Sequence, residues 1–273
     1  MPEGDAIFRA ARTLHRALAG SRVTRFESVF PALTRVDQDR PLADRTVESV
    51  ASRGKHLLMT FSGDLILRTH MRMHGSWHIY RPGERWQRPA RDMRILVATG
   101  DFVAVAFNVP IAEFLTAREM SRQLQALGPD LLADGFDSAD VRQRMRTRPD
   151  EAIADVLLNQ RIVAGIGNVF KSEILFIAGV DPFRTVARLS EEELARIIDT
   201  ARTALRANVL TRSQTLSPSL GRRTTRSLNP REPLWVYGRG GKPCLKCGAP
   251  ISAKKTGLDA RLTYWCPRCQ KSG

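Results

Sequence analysis

Between residues 4 and 20, Ile7, Ala11, Leu14 and Leu18 recur at intervals of three and four, which gathers them on one side of a helix that Gly20 can close. From about residue 22 to 115 the period changes. Stretches 57–61, 65–69, 77–80, 95–98 and 102–107 alternate or run apolar between Gly, Pro and Asp breaks. Short strands punctuated in this way predict a sandwich or barrel rather than a parallel sheet. Beyond Gly128-Pro129-Asp130 the spacing turns helical as far as about residue 207, and Ser190-Glu191-Glu192-Glu193 opens the last of these helices as a capping box. Residues 211–233, rich in Ser, Thr, Arg and Pro, read as a mobile basic linker and, from their position, as a candidate lesion-sensing segment. No internal repeat is found.

Charge sharpens this division. The chain of 273 residues carries a net +15, and residues 201–273 hold ten Arg and five Lys against only Glu232 and Asp259, a local net of +13. The first 200 residues carry 28 basic and 26 acidic side chains. A basic final third on a near-neutral body is the footprint of a polyanion partner, nucleic acid first among them; a solubilising tail is the bland alternative. No run approaches the ~20 apolar residues that span a bilayer, and the N-terminus has no apolar signal segment, so the expectation is a soluble intracellular protein without membrane association.

All four cysteines lie near the end. Cys244, Cys247, Cys266 and Cys269 form two Cys-x-x-Cys pairs with eighteen residues between them. Two such knuckles present four thiolates to one structural zinc ion, Zn2+, in a module too small to fold without it.

Three local arrangements carry chemistry. Pro2-Glu3-Gly4 exposes a secondary amine once Met1 is removed. An α-amino group titrates near ~8 against about 10.4 for lysine, and the start of a helix lowers it further, so it is a nucleophile at neutral pH. Proline is also simply common in a first helical turn. Lys55, in Arg53-Gly54-Lys55-His56, is the sole lysine before Lys171 in an arginine-biased chain; a lysine can donate its proton where an arginine cannot, or it can contact a phosphate. Gly165-Ile166-Gly167-Asn168, between helices expected at 152–160 and 169–177, makes a helix-turn-helix-like unit. Its second helix can receive a phosphate at its N-terminal amides, or the glycines can serve packing alone.

In this order, these residues resemble the formamidopyrimidine-DNA glycosylase / endonuclease VIII family. The match runs from Pro-Glu-Gly through Arg-Gly-Lys-His-Leu and Gly-Ile-Gly-Asn to Val236-Tyr237-Gly238-Arg239 and the finger ending Tyr264-Trp265-Cys266-Pro267-Arg268-Cys269-Gln270. The resemblance implies an α+β multidomain fold. An N-terminal β-sandwich with its N-terminal helix would occupy residues 1–125, a helix-two-turn-helix domain with the basic linker 126–233, and a zinc ribbon 234–273. It implies a bifunctional glycosylase and lyase of base excision repair. Pro2 would form a Schiff base with the sugar of the damaged nucleotide, Glu3 would protonate the sugar ring, and Lys55 would donate a proton in strand scission. Asn168 and Arg261 would grip phosphates around the extruded nucleotide, Arg261 also counting among the catalytic residues, and Tyr237 would bind DNA. His70, Arg72, Met73 and His74 would lie on the loop that fills the void left by the flipped base. The expected partner is damaged DNA, bound by a monomer in a bacterial cytoplasm at the nucleoid.

Family members specialised for oxidised purines carry an Arg-Arg-Phe element after a strand hairpin; residues 102–114 here contain no arginine. Arg72, Met73 and His74 stand where the endonuclease VIII branch has Gln-Leu-Tyr, and the opening Pro-Glu-Gly-Asp looks more like actinobacterial endonuclease VIII-type proteins. Oxidised pyrimidines and abasic sites are therefore the expected lesions. An oxidised-purine enzyme of the same family, a non-catalytic damaged-DNA-binding protein and an RNA-binding zinc ribbon are the competing readings.

Overall fold

Helix α1 (Gly4–Leu18) forms where the spacing places it, burying Ile7, Ala11, Leu14 and Leu18 against strands β2 (Val47–Arg53) and β3 (His56–Phe61). It ends at Ala19, and Gly20 follows with φ at +82°, a turn that glycine adopts without steric cost. The computed structural model describes residues 2–210, 222–225, 229, 231–257 and 260–271; most of the linker expected at 211–233 lies outside them. The chain divides into two units, one reaching Ala126 and one beginning at Leu127.

The first unit is a sandwich of two four-stranded antiparallel sheets. One has the order β1-β6-β7-β5, with β1 at Arg25–Ser28, β5 at Ser76–Tyr80, β6 at Met93–Ala98 and β7 at Val103–Phe107. The other has the order β2-β3-β4-β8, with β4 at Leu65–His70 and β8 at Ile111–Leu115. Inward residues of both sheets, among them Leu57, Met59, Leu67, Ile95, Val97, Ala104 and Ala106, meet α1 in one core. Strands β5 and β6 both pair antiparallel with β7, so they run in the same direction. The connection 81–92 between them covers the other face of the sheet, where Trp86 packs on Tyr80, Leu96, Val105 and Phe107. This explains why β7 reads apolar at every position: both its faces are buried. The stretch expected to be strands also contains a helix, α2 (Pro31–Asp39), with Pro31 in its first turn. Helix α3 (Ala117–Leu124) closes the unit with a Thr116–Glu119 capping box.

The second unit packs α4 (Ser138–Arg146), α5 (Ile153–Leu158), α6 (Asn168–Ala178) and α7 (Glu191–Leu210) around a core that includes Phe170, Ile174, Leu175, Ile197 and Ile198. Ser190 and Glu193 cap α7 reciprocally, at 3.2 and 2.9 Å. The hairpin β9 (Ser252–Thr256) and β10 (Arg261–Trp265) belongs to this unit, with Phe176 of α6 in one cluster with Val236, Ile251, Cys244 and Cys266. No helix among the described residues is long and apolar enough to cross a membrane.

Candidate active site and nucleic-acid interface

Glu3 is the residue from which α1 begins. Its backbone is extended, its carbonyl oxygen accepts from the N–H groups of Ala6 and Ile7 at 3.0 and 3.1 Å, and it is wholly buried. Pro2 therefore stands directly before the N-terminus of α1. Asp5, in the first turn, is buried and paired with Arg9 at 3.6 Å.

Lys55 sits in a two-residue turn. Arg53 pairs with His56 across the β2–β3 ladder, leaving Gly54 and Lys55 at the tip, with Gly54 at φ +59°. A hairpin turn needing positive φ at its first central position is met by Gly-X. Lys55 is only 9% exposed. The two strands this turn joins are those on which α1 packs, so sheet and helix hold both catalytic candidates on one framework.

Beside the turn, the imidazoles of His56 and His70 meet edge to face with centroids 5.0 Å apart. Burial, then His70 and the charges of Arg68 and Lys55, lower His56 to about 3. Burial, then Arg72, Lys55 and Arg68, lower His70 to about 4. Both rings are thus neutral at pH 7 amid cations. His70 Nδ1 accepts from the Arg72 backbone N–H at 3.1 Å, which puts its proton on Nε2 as a donor. Fixed positive charge with neutral donors suits a phosphate.

The loop from Met71 to Gly75 links the two sheets. Met71 is buried, and the Gly75 N–H donates to its carbonyl at 2.8 Å; a Cβ on Gly75 would lie 2.5 Å from that oxygen. The loop is drawn so tight that Arg72 takes φ +47° and the three residues Arg72, Met73 and His74 are pushed outward. Met73 is 58% exposed, so it is no core residue. Between β7 and β8 only Asn108, Val109 and Pro110 intervene; Asn108 takes φ +51° and Val109 is fully buried, so no side chain of a long loop projects there.

In the second unit, α5 stops at Leu158, short of the expected Gln160, because Gln160 is used to build the turn. Its amide donates to the carbonyls of Leu158 and Ile166 at 2.8 and 3.0 Å and accepts from Gly165 N–H at 3.1 Å. Gly128 threads beneath, where a Cβ would lie 2.4 Å from the Ile162 carbonyl oxygen. This sets Asn168 at the first position of α6, with its Nδ2 donating to the Leu262 carbonyl at 3.0 Å, one residue from Arg261. The structure thus brings Asn168 and Arg261 together. Tyr237 meets the same hairpin at Tyr264, the ring centroids 5.1 Å apart.

Two buried charges on α6 escaped the sequence reading. Lys171 Nζ donates to Asn168 Oδ1 at 2.8 Å and to Thr263 Oγ1 at 2.7 Å. Glu173 accepts the consecutive N–H groups of Trp235, Val236 and Tyr237 at 2.8, 2.9 and 2.8 Å, and the Thr224 hydroxyl. A signal was present: α6 is apolar on all sides, so a Lys and a Glu within it are buried and must be partnered.

The four cysteine sulfurs all lie within 4.8 Å of one another, with Cys244–Cys269 at 4.0 Å and Cys247–Cys266 at 3.5 Å. Tetrahedral zinc with Zn–S near ~2.3 Å requires sulfurs roughly 3.8 Å apart, so the set fits. The Ala249 backbone N–H draws the Cys247 thiol down to about 7.

Residues 1–110 match the formamidopyrimidine-DNA glycosylase N-terminal domain, residues 127–219 its H2TH domain, and residues 241–271 the zinc finger found in FPG and IleRS. A probable endonuclease 8 2 of Streptomyces coelicolor is 40% identical, covering 99% of this chain and 94% of its own. The chain belongs to the formamidopyrimidine-DNA glycosylase / endonuclease VIII family. That is a family of base-excision-repair enzymes that combine glycosylase and AP lyase activities, and one structural zinc belongs to its finger. A DNA-(apurinic or apyrimidinic site) lyase of Mycolicibacterium smegmatis is 36% identical over 99% of each chain. Among solved structures, Lactococcus lactis formamidopyrimidine DNA glycosylase, bound non-covalently to DNA containing an AP site, superposes with a TM-score of 0.83 at 24% identity, covering 99% of this chain and 100% of that one. The fold is therefore that of the family along its whole length.

Proposed function

We propose that this chain excises oxidised bases, pyrimidines ahead of purines, from damaged DNA and then nicks the abasic strand. The Pro2 nitrogen attacks the anomeric carbon as the glycosidic bond breaks and the base departs. Glu3 protonates the ring oxygen, which opens the sugar and leaves a Schiff base on Pro2. Lys55 moves a proton in the elimination that follows, and water then releases Pro2. His70, Arg72, Asn168, Tyr237 and Arg261 hold phosphates and offset the few kcal/mol needed to flip the nucleotide out. Met73 enters the vacated stack as an apolar wedge between Arg72 and His74. Zinc organises the finger and takes no part in the chemistry.

The observation carrying this reading is Pro2 at a helix N-terminus beside a wholly buried Glu3, on the framework that also holds Lys55. Borohydride trapping on an abasic duplex, with mass spectrometry of the crosslink, tests it: an adduct on the Pro2 amine is expected. No adduct from protein that lacks Met1 and binds the DNA leaves a binding protein on an enzyme's fold.

The lesion class rests on the short β7–β8 connection with Val109 turned inward, which lacks the Arg-Arg-Phe element of the purine-specific members. Side-by-side turnover of thymine-glycol and oxidised-guanine duplexes decides it. The enzyme acts as a monomer on DNA in the bacterial cytoplasm; the bacterial relatives support that location.

A further inference from the structure

Lys171 is wholly buried, yet its ammonium is placed between two parts of the second unit that the proposed function uses together. Towards α6 it donates to Asn168 Oδ1 at 2.8 Å, one helical turn back. Towards the finger it donates to Thr263 Oγ1 at 2.7 Å, and Thr263 in turn shares a 2.6 Å hydrogen bond with Thr256 on the facing strand. With Nδ2 of Asn168 bonded to the Leu262 carbonyl, the amide is held at both ends, so its orientation is fixed by lysine and hairpin jointly. The Asp155 carboxyl on α5, which burial raises, feels the same lysine charge as a lowering influence.

We propose that Lys171 is a positioning residue for DNA binding: it locks the Asn168 amide to the zinc-finger hairpin so that Asn168 and the Arg261 strand engage the backbone as one grip. Two physical effects act together. An ammonium donating to Oδ1 fixes which way the amide faces, leaving the one Nδ2 hydrogen not taken by the Leu262 carbonyl as an outward donor. It also polarises the amide, so each Nδ2–H becomes a stronger donor to an anion. Lysine suits the task because its donors leave one point and reach Asn168 and Thr263 at once. The residue touches neither sugar nor base in this scheme, so it is not a catalytic residue.

This inference rests on the reading of Asn168 as a phosphate contact, and the experiment separates the two. Binding of zinc-loaded, full-length protein to a duplex with a tetrahydrofuran abasic analogue is measured by fluorescence anisotropy for wild type, N168A, K171M, K171R, T263V and the N168A/K171M double variant, with zinc content measured in each. K171M is expected to weaken binding about tenfold, as N168A does, with little further loss in the double variant and most of the affinity recovered in K171R. A structural lysine unconnected with Asn168 would instead give multiplying losses, and that result, or wild-type binding by K171M, overturns the proposal. Wild-type binding by N168A overturns the phosphate-contact reading itself. If K171M loses zinc or fails to fold, T263V decides: severalfold weaker binding at full zinc supports the lock, and unchanged binding removes it.

Discussion

The backbone N–H of Tyr237 donates to Oε1 of Glu173 at 2.8 Å, from the loop that leads into the finger to the middle of a helix in which no other acid is found. With Trp235, Val236 and Thr224 also donating, one buried carboxylate fixes the approach to the zinc module. Hydrogen bonds to a charged group contribute about 1.5–3 kcal/mol each, and unpaired buried donors cost their desolvation. E173Q, which cannot accept all four, should lower stability by about 2 kcal/mol or more while E173D retains part of it. Urea unfolding with zinc content measured in parallel checks this, and an unchanged midpoint in E173Q would show that the loop finds other acceptors.

Glu3 and Pro2 separate two steps. E3Q keeps shape but cannot supply the proton, so base excision should fall by about a hundredfold or more. A preformed abasic site has no glycosidic bond left to break, so Schiff-base trapping on it should suffer less. Equal losses on lesion and abasic substrates would contradict the division of labour between the two residues.

Met73 is exposed, so M73A should change stability by no more than about 0.5 kcal/mol. Its effect should fall on duplex substrates, where a gap in the stack must be filled, and not on abasic single strands. The ratio of the two affinities is the measurement; a parallel loss on both assigns Met73 no wedge role.

The His56–His70 pair predicts an acid-sensitive sandwich. Their folded values, about 3 and about 4, lie below the ordinary 6.5. Between those limits the unfolded chain binds more protons than the folded one, so stability is complete above about pH 6.5 and falls as pH drops towards 4. Urea midpoints of wild type and H56Q between pH 7 and 5 should diverge, the variant showing the shallower slope. Parallel slopes would mean His56 takes up its proton in the folded state too.

Zinc removal should melt the finger and its contacts with α6. In C266S, which replaces a fully buried ligand, metal content should fall below one per chain and DNA affinity by more than tenfold. The sandwich, a separate unit with its own core, should keep its near-ultraviolet signal and thermal transition.

What the sequence discloses is local. The α1 stripe, the α7 capping box and the cysteine knuckles each depend on residues a few positions apart, and each stands where spacing predicts. Strand β1 has one pattern-poor run of four residues, and α2 begins at a proline amid strand-like surroundings; their identity comes from partners distant in the chain. The same holds at the site. Pro2, Lys55 and Asn168 belong to short motifs, whereas the roles of Lys171 and Glu173 are created by segments about 90 and 60 residues later, respectively, folding over α6.

The first sheet closes through β1 and β6, whose register sets Arg25 against Ala98, whereas the β2–β3–β4 meander with the Lys55 turn lies within residues 47–70. During synthesis the meander can assemble from neighbours as they emerge, but β1 must wait for a strand about seventy residues downstream. Among the strand pairs of the sandwich, β1–β6 is the seam that bridges the longest stretch of chain. Substitutions at β6 that weaken this pairing are therefore expected to slow closure of the first sheet, even where they lie far from the Lys55 turn.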